Sequence, residues 1–92
     1  MSDRKYKLII TKRAMKDFKK IDQQDAKKII AWMNKNLLEC NDPKLFGKAL
    51  LANKSGLWRY RVGSFRIIVT IREDIIAVEV LTVGHRSTVY KK

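Results

Sequence analysis

Cysteine, histidine and proline each occur only once in the 92 residues, as Cys40, His85 and Pro43. A lone cysteine excludes an internal disulfide, and one cysteine with one histidine cannot supply the ligands of a zinc site. Any chemistry must therefore be free of metal or use a metal that oxygen atoms hold. We expect neither a metal nor another cofactor.

Long apolar runs are also missing. The first ten residues, MSDRKYKLII, contain only three consecutive apolar residues, which is too few for the core of a signal peptide. No run approaches the length that spans a membrane. The hydrophobic content of 46% is nevertheless that of a folded protein. We therefore expect a single domain over residues 1–92, in the cytoplasm and without membrane association.

Acidic residues are scarce as well, nine against 21 lysines and arginines, which gives a net charge of +12. Such a charge favours a polyanionic partner: nucleic acid first, a membrane surface second and an acidic protein third. Five of the seven arginines follow residue 56, whereas twelve of the fourteen lysines precede residue 57. Because the planar guanidinium group of arginine can donate two hydrogen bonds to one phosphate, the C-terminal half is the better candidate for the anion-binding site.

Apolar residues at every second position of 58–62 and 65–72 predict two strands with one buried face. Gly63 suits the first position of a two-residue type II′ turn, which would place Arg61 opposite Arg66. Like charges in that relation destabilise a sheet. A solvated strand face is the ordinary alternative, but the repulsion favours a bound anion, which we interpret as phosphate.

The N-terminal half predicts a strand over Lys5–Ile10, a helix from the N-cap Thr11 to about Lys20, and a second helix that Asp22 opens. The apolar stripes of the two helices are Ala14, Met15, Phe18 and Ile21, and then Ala26, Ile29, Ile30, Met33 and Leu37. We interpret residues 44–56 as a loop or short irregular helix that Leu45, Phe46 and Leu50 anchor.

The last predicted strand, Ile75–Val83, is apolar enough to be central in the sheet. If Arg72 pairs with Ile75, then Glu79 lies opposite Ile68 and diagonal to Arg66. The fold class is α+β, with an N-terminal helical hairpin on one face of a small antiparallel sheet in the order β-α-α-β-β-β. The helices should cover the face that carries Trp58, Tyr60, Val62, Phe65, Ile67, Val69, Val78 and Val80.

If the ligand is RNA, cleavage without a metal needs deprotonation of the 2′-OH, stabilisation of the charged phosphate and protonation of the leaving 5′ oxygen. Arginines suit the second task, but they are poor proton acceptors at pH 7. Near the C-terminus, Tyr90 and His85 offer titratable groups. We place Tyr90 first and His85 second, while a structural role for either remains the ordinary alternative.

The stretches GLWRYRVGSFRIIVTI and VGHRSTVY resemble the RelE branch of the RelE/ParE superfamily, the bacterial toxins of type II toxin-antitoxin systems. The likeness extends over nearly the whole chain in pattern, and its specific motifs lie within Gly47–Tyr90. It implies a ribosome-dependent endoribonuclease that cuts mRNA in the A site by attack of the 2′-OH on the scissile phosphate.

By position, the resemblance implies that Arg59, Arg61 and Arg66 contact the scissile phosphate, that Arg86 stabilises the transition state and that Tyr90 stacks on or activates the nucleotide. We assign RNA contacts to four further residues, Lys54, His85, Lys91 and Lys92. Some relatives have lysines at the positions of Arg59 and Arg61, so the identity of the base stays open between Tyr90 and His85.

The resemblance also implies partners: a cognate antitoxin whose acidic segment covers the basic face, the ribosome with its mRNA, and operator DNA through the antitoxin complex only. The +12 charge makes an acidic partner physically reasonable. Two alternatives remain. One is a ParE-like inhibitor of DNA gyrase without nuclease activity, and the other is a nucleic-acid-binding module without catalysis.

Overall fold

A computed structural model describes residues 5–49 and 56–85. Within them the elements follow in the order β1 (Lys7–Ile10), α1 (Lys12–Lys20), α2 (Gln23–Asn36), β2 (Lys48–Ala49), β3 (Leu57–Val62), β4 (Phe65–Arg72) and β5 (Ala77–His85). The two helices pack on a sheet with the strand order β1-β5-β4-β3-β2. The predicted α+β class is confirmed, and β2 is an addition to it.

Both helices begin where the sequence predicts. The Thr11 hydroxyl accepts a hydrogen bond from the backbone N–H of Ala14 at 3.2 Å, and the Asp22 carboxylate accepts one from Gln24 at 3.2 Å. These N-caps satisfy backbone donors that have no partner inside the helix. Among the described residues, no helix combines the length and the apolar character needed to cross a membrane.

The directions of the strands depart in one place from the expected antiparallel sheet. The strands β2 to β5 pair antiparallel, whereas β1 pairs parallel with β5. A parallel pairing needs a long crossover, which the two helices and the intervening strands provide. As predicted, β5 is central, because it has β1 on one side and β4 on the other.

The core lies between the helices and one face of the sheet. Its fully buried side chains include Ile29, Met33 and Leu37 from α2 and its C-terminal end, and Tyr60, Ile67, Val69, Val78 and Val80 from the sheet. The predicted buried face is therefore confirmed. Two members of the predicted helical stripes are exposed instead, Met15 by 53% and Ile30 by 41%. They line an apolar groove of about 380 Å³ between the helices, because the hairpin does not close over them.

The register between β4 and β5 differs from the prediction. Arg72 pairs with Ala77, not with Ile75, and Glu79 therefore lies opposite Thr70. The connection is longer than expected because Ile76 adopts a left-handed φ of 50° before the strand begins. The expected position of Glu79 beside Arg66 is wrong.

Residues 44–49 differ from the prediction in part: Leu45 is 69% exposed, whereas Phe46, although 47% exposed, meets the Trp32 ring edge to face with the centroids 6.1 Å apart. Pro43 is buried instead, and its carbonyl accepts a hydrogen bond from the Tyr60 hydroxyl. The third proposed anchor, Leu50, lies outside the described residues. The contact between Tyr60 and Pro43 holds this segment against β3 and brings β2 into the sheet.

Candidate functional site

The β3–β4 hairpin brings two of the predicted arginines together. Arg61 pairs directly with Arg66, as the sequence predicts. Gly63 has a φ of 61°, and Ser64 is not among the residues with positive φ, which agrees with a type II′ turn. Directly opposed Cβ atoms in such a pair lie about 5 Å apart, so both guanidinium groups start from one small area of the sheet.

A second cationic pair extends this row. Lys48 of β2 lies directly opposite Arg59 of β3, and Arg59 is diagonal to Arg66. The four side chains start from the sheet face away from the helices, because the alternating residues of β3 and β4 belong to the core. We call Lys48, Arg59, Arg61 and Arg66 the cationic row. No sequence pattern points to Lys48, because a strand of two residues shows no alternation.

Arg66 has an unusual environment for a guanidinium group. The residue is only 6% exposed, and its Nε atom finds no hydrogen-bond partner among the described residues. A buried N–H donor without an acceptor lowers stability, because it has lost its hydrogen bond with water. An anion bound at this position would provide the missing acceptor.

Arg72 lies on the same strand as Arg66, but its guanidinium group pairs with carboxylates. Its guanidinium group donates to Asp74 at 2.9 and 3.1 Å, and it lies 3.6 Å from Glu79. The hydrogen bond to Asp74, together with the negative charges of Asp74 and Glu79, raises the pKa of Arg72, and the same bond lowers the pKa of Asp74. Carboxylates thus occupy this arginine, and we do not include it in the candidate anion site.

His85 lies at the end of β5, directly opposite Phe65, beside the turn of the hairpin. The two rings meet edge to face with their centroids 5.3 Å apart. Two clefts adjoin at this pair: one of about 500 Å³ against α1 and one of about 330 Å³ against α2. The imidazole is exposed and lies two strands from Arg61, at the same end of the sheet.

Comparison with known families decides the identity of this fold. A family model described as the ParE toxin of the type II toxin-antitoxin system parDE matches residues 8–90. The chain is a toxin of the RelE/ParE superfamily. The match covers both helices and every strand of this toxin except the first residue of β1.

Solved structures show the same fold as this toxin. The toxin-antitoxin complex RelBE2 from Mycobacterium tuberculosis contains a chain with a TM-score of 0.77 and 23% identity, covering 94% of the toxin and 97% of that chain. A mutant of the Escherichia coli toxin RelE in the free state has a TM-score of 0.72 and 17% identity, covering 91% of the toxin and 87% of that chain. The RelB-RelE antitoxin-toxin complex from Methanococcus jannaschii contains a chain with a TM-score of 0.59 and 27% identity, covering 90% of the toxin and 95% of that chain. No curated protein sequence matches the toxin.

Several predicted site residues lie outside the described residues: Arg86, Tyr90, Lys54, Lys91 and Lys92. Their roles stay predictions. The structure brings Arg59, Arg61 and Arg66 onto one face, whereas His85 pairs with Phe65 and lies at the same end of the sheet on the helix-facing side. Within residues 5–49 and 56–85, no group of three or more histidine, cysteine, aspartate or glutamate side chains is arranged to hold a metal ion.

Proposed function

We propose that this toxin is a ribosome-dependent endoribonuclease that cuts mRNA in the A site without a metal. The observation that carries the proposal is the cationic row, in which Lys48 opposes Arg59 and Arg61 opposes Arg66. Two adjacent like-charged pairs destabilise a sheet that binds nothing. A phosphodiester would remove this repulsion and would supply an acceptor for Arg66.

In this mechanism the guanidinium groups act by charge and position. Arg59, Arg61 and Arg66 bind the oxygens of the scissile phosphate, and Arg86 stabilises the extra negative charge of the pentavalent transition state. Groups fixed in advance around the developing charge lower the barrier because they need not reorganise during the reaction. The cationic row therefore accelerates cleavage by binding the transition state more tightly than the intact RNA.

The proton transfers need groups other than arginine. Tyr90 is the first candidate for removing the proton of the 2′-OH, because neighbouring cations stabilise a phenolate. His85 is the second candidate, because imidazole groups commonly act as general bases. The ring of His85 packs edge to face on Phe65, on the side of the sheet opposite the cationic row, which makes His85 the weaker candidate. Lys54, Lys91 and Lys92 contribute further RNA contacts.

We propose a cognate antitoxin as the partner in the cell. Two of the structures with this fold were solved as complexes of a toxin with its antitoxin. With a net charge of +12, this toxin attracts an acidic segment, which would cover the cationic row and exclude RNA. Operator DNA is bound only through that complex, and the cytoplasm is where ribosomes and mRNA are found.

The second candidate function is inhibition of DNA gyrase by binding, without nuclease activity. The family model favours it, since its description is that of the ParE toxin. The third candidate function is binding of nucleic acid without catalysis, for which the net charge alone would suffice. Cleavage of mRNA separates the first function from the other two, and arrest of DNA replication separates gyrase inhibition from simple binding.

Primer extension on mRNA from cells that express the toxin tests the proposal. We expect cuts in register with codons, confined to translated regions. Arg86→Ala and Tyr90→Phe should abolish the cuts, whereas Lys35→Ala, on an exposed position of α2, should preserve them. Intact mRNA together with arrested DNA replication would overturn the nuclease proposal in favour of gyrase inhibition.

A further inference from the structure

β5 contains one irregularity close to the cationic row. From the start of the strand, its pairing with β4 is regular up to Val80, which lies opposite Val69. The next residue of β4 toward the hairpin, Ile68, lies opposite Thr82, so Leu81 has no counterpart. This arrangement is a β-bulge, and bulges often redirect side chains beside active sites.

Helix α1 binds the strand on both sides of the bulge. At the N-cap, the Thr11 hydroxyl donates to the carbonyl oxygen of Val80 at 2.7 Å. In the middle of the helix, Oδ2 of Asp17 accepts from the Thr82 hydroxyl at 2.6 Å and from the backbone N–H of Val83 at 3.1 Å. Thr11 and Asp17 lie about 9 Å apart along the helix, so α1 spans the bulge and holds the strand on both sides of it.

The bulge decides which residues of β5 lie beside the hairpin. With it, Gly84 is opposite Arg66 and His85 is opposite Phe65. If the regular pairing continued without the extra residue, Val83 would lie opposite Arg66. Because a shift of one residue turns every side chain to the other face, Val83 would leave the core, where it is only 3% exposed.

We propose that Asp17 is a positioning residue, which holds the bulge of β5 and thereby keeps Gly84 opposite Arg66 and His85 beside the hairpin. This inference rests on the proposed nuclease function. Asp17 touches no substrate itself. Beyond the last pair between β1 and β5, Ile10 with Val80, its carboxylate accepts from the backbone N–H of Val83 and fixes the Thr82 hydroxyl at the same point.

The sequence of α1 supports a dedicated role. Asp17 is the only acidic residue among the nine of this helix, KRAMKDFKK. An acidic residue in a basic helix ordinarily pairs with a lysine or arginine one turn away. Here the carboxylate instead binds a strand more than 60 positions later in the chain. Such a long-range contact fixes tertiary geometry, which a local ion pair does not.

Three substitutions separate positioning from general stability. Asp17→Ala removes the acceptor, whereas Asp17→Asn retains one oxygen, and a single oxygen accepts both hydrogen bonds in the structure. Glu73→Ala changes the net charge equally at an exposed turn and serves as the control. For each variant we would measure kcat and KM on ribosome-bound mRNA, well below the unfolding temperature, and the amide exchange of Val83 and Gly84 by NMR.

Asp17→Ala should lower kcat about a hundredfold with little change in KM, since a small displacement of reacting groups has an effect of that size. The Val83 amide should exchange faster, and Asp17→Asn should restore most of both properties. If Asp17→Ala does not fold, Thr82→Val removes one of the two bonds and should show a smaller effect of the same kind. Unchanged Val83 and Gly84 amides with wild-type kcat would overturn the proposal.

The two proposals fail in different ways. A wild-type protein that cuts no RNA refutes the nuclease function alone, because the exchange of the Val83 and Gly84 amides still tests whether Asp17 holds the bulge. Wild-type cleavage with equal losses of kcat in Asp17→Ala and Glu73→Ala refutes the positioning role alone, since the loss would then follow charge and not the hydrogen bonds.

Discussion

Arg61 and Arg66 lie directly opposite each other in a hairpin whose turn is only two residues long. Replacing Arg61 with threonine, which has a high strand propensity, removes the repulsion. We expect the free energy of unfolding to rise by about 0.2–1 kcal/mol. RNA cleavage should fall about a hundredfold, because one donor to the transition state is lost. Urea denaturation and a cleavage assay measure the two effects.

Arg72→Thr is the matched control for Arg61→Thr, since Arg72 is on the neighbouring strand and its charge is already paired with Asp74. It should give no gain in stability and little loss of cleavage. A simultaneous fall of stability and cleavage in Arg61→Thr would contradict the idea that the sheet tolerates this repulsion for the sake of a ligand.

Binding of single-stranded RNA should depend steeply on salt, because each neutralised phosphate releases counterions. Each of Arg59→Gln and Arg61→Gln should reduce the slope of log Kd against log salt by about 0.7. Arg72→Gln should leave the slope unchanged, since carboxylates already occupy that side chain. Titration of an RNA oligonucleotide whose 2′-OH groups are methylated separates binding from cleavage. Equal slopes for all three variants would argue against phosphate contacts by the cationic row.

The features predicted correctly from the sequence are those that short stretches of chain determine. The N-caps Thr11 and Asp22 and the hairpin at Gly63 follow from a few adjacent residues, and so does the pairing of Arg61 with Arg66. The register of β5 and the position of Glu79 did not follow, because the left-handed Ile76 and the bulge at Leu81 depend on contacts with distant elements. β2 was missed for the same reason, since two residues become a strand only through their neighbour β3.

Gly47 packs closely against the ring of Tyr60, which explains why the chain turns into β2 at this point. A Cβ atom added there would lie 2.7 Å from the Tyr60 ring and 2.9 Å from the carbonyl oxygen of Arg59. Gly47→Ala should therefore lower the free energy of unfolding by about 1–3 kcal/mol, as overpacking does. It should also weaken RNA binding, because Lys48 and Arg59 would separate.

Gly63 provides the control for Gly47→Ala, since an added Cβ atom meets nothing within 4 Å there. Its φ of 61° strains any side chain, so Gly63→Asn should lower the free energy of unfolding by about 1 kcal/mol through the backbone and not through packing. Thermal unfolding measures both variants. If Gly63→Asn proved the more harmful of the two, the turn and not the contact with Tyr60 would be the sensitive point.

Tyr60 couples stability to alkaline pH. Burial of the hydroxyl group is the main cause that raises the pKa of Tyr60 above its ordinary value. The nearby Cys40 and Asp42 raise this pKa further. The folded state therefore keeps a proton that the unfolded state loses above a pH of about 10, and stability decreases as the pH rises through that value.

Tyr60→Phe should remove this contribution while lowering stability near neutral pH by about 1 kcal/mol, because the hydrogen bond to Pro43 is lost. Urea denaturation of both proteins at pH values of about 8 and 11 isolates the effect from lysine titration, which the two share. The gap between the wild type and Tyr60→Phe should narrow at the higher pH, and a gap that stayed constant would show that the phenol does not ionise on unfolding.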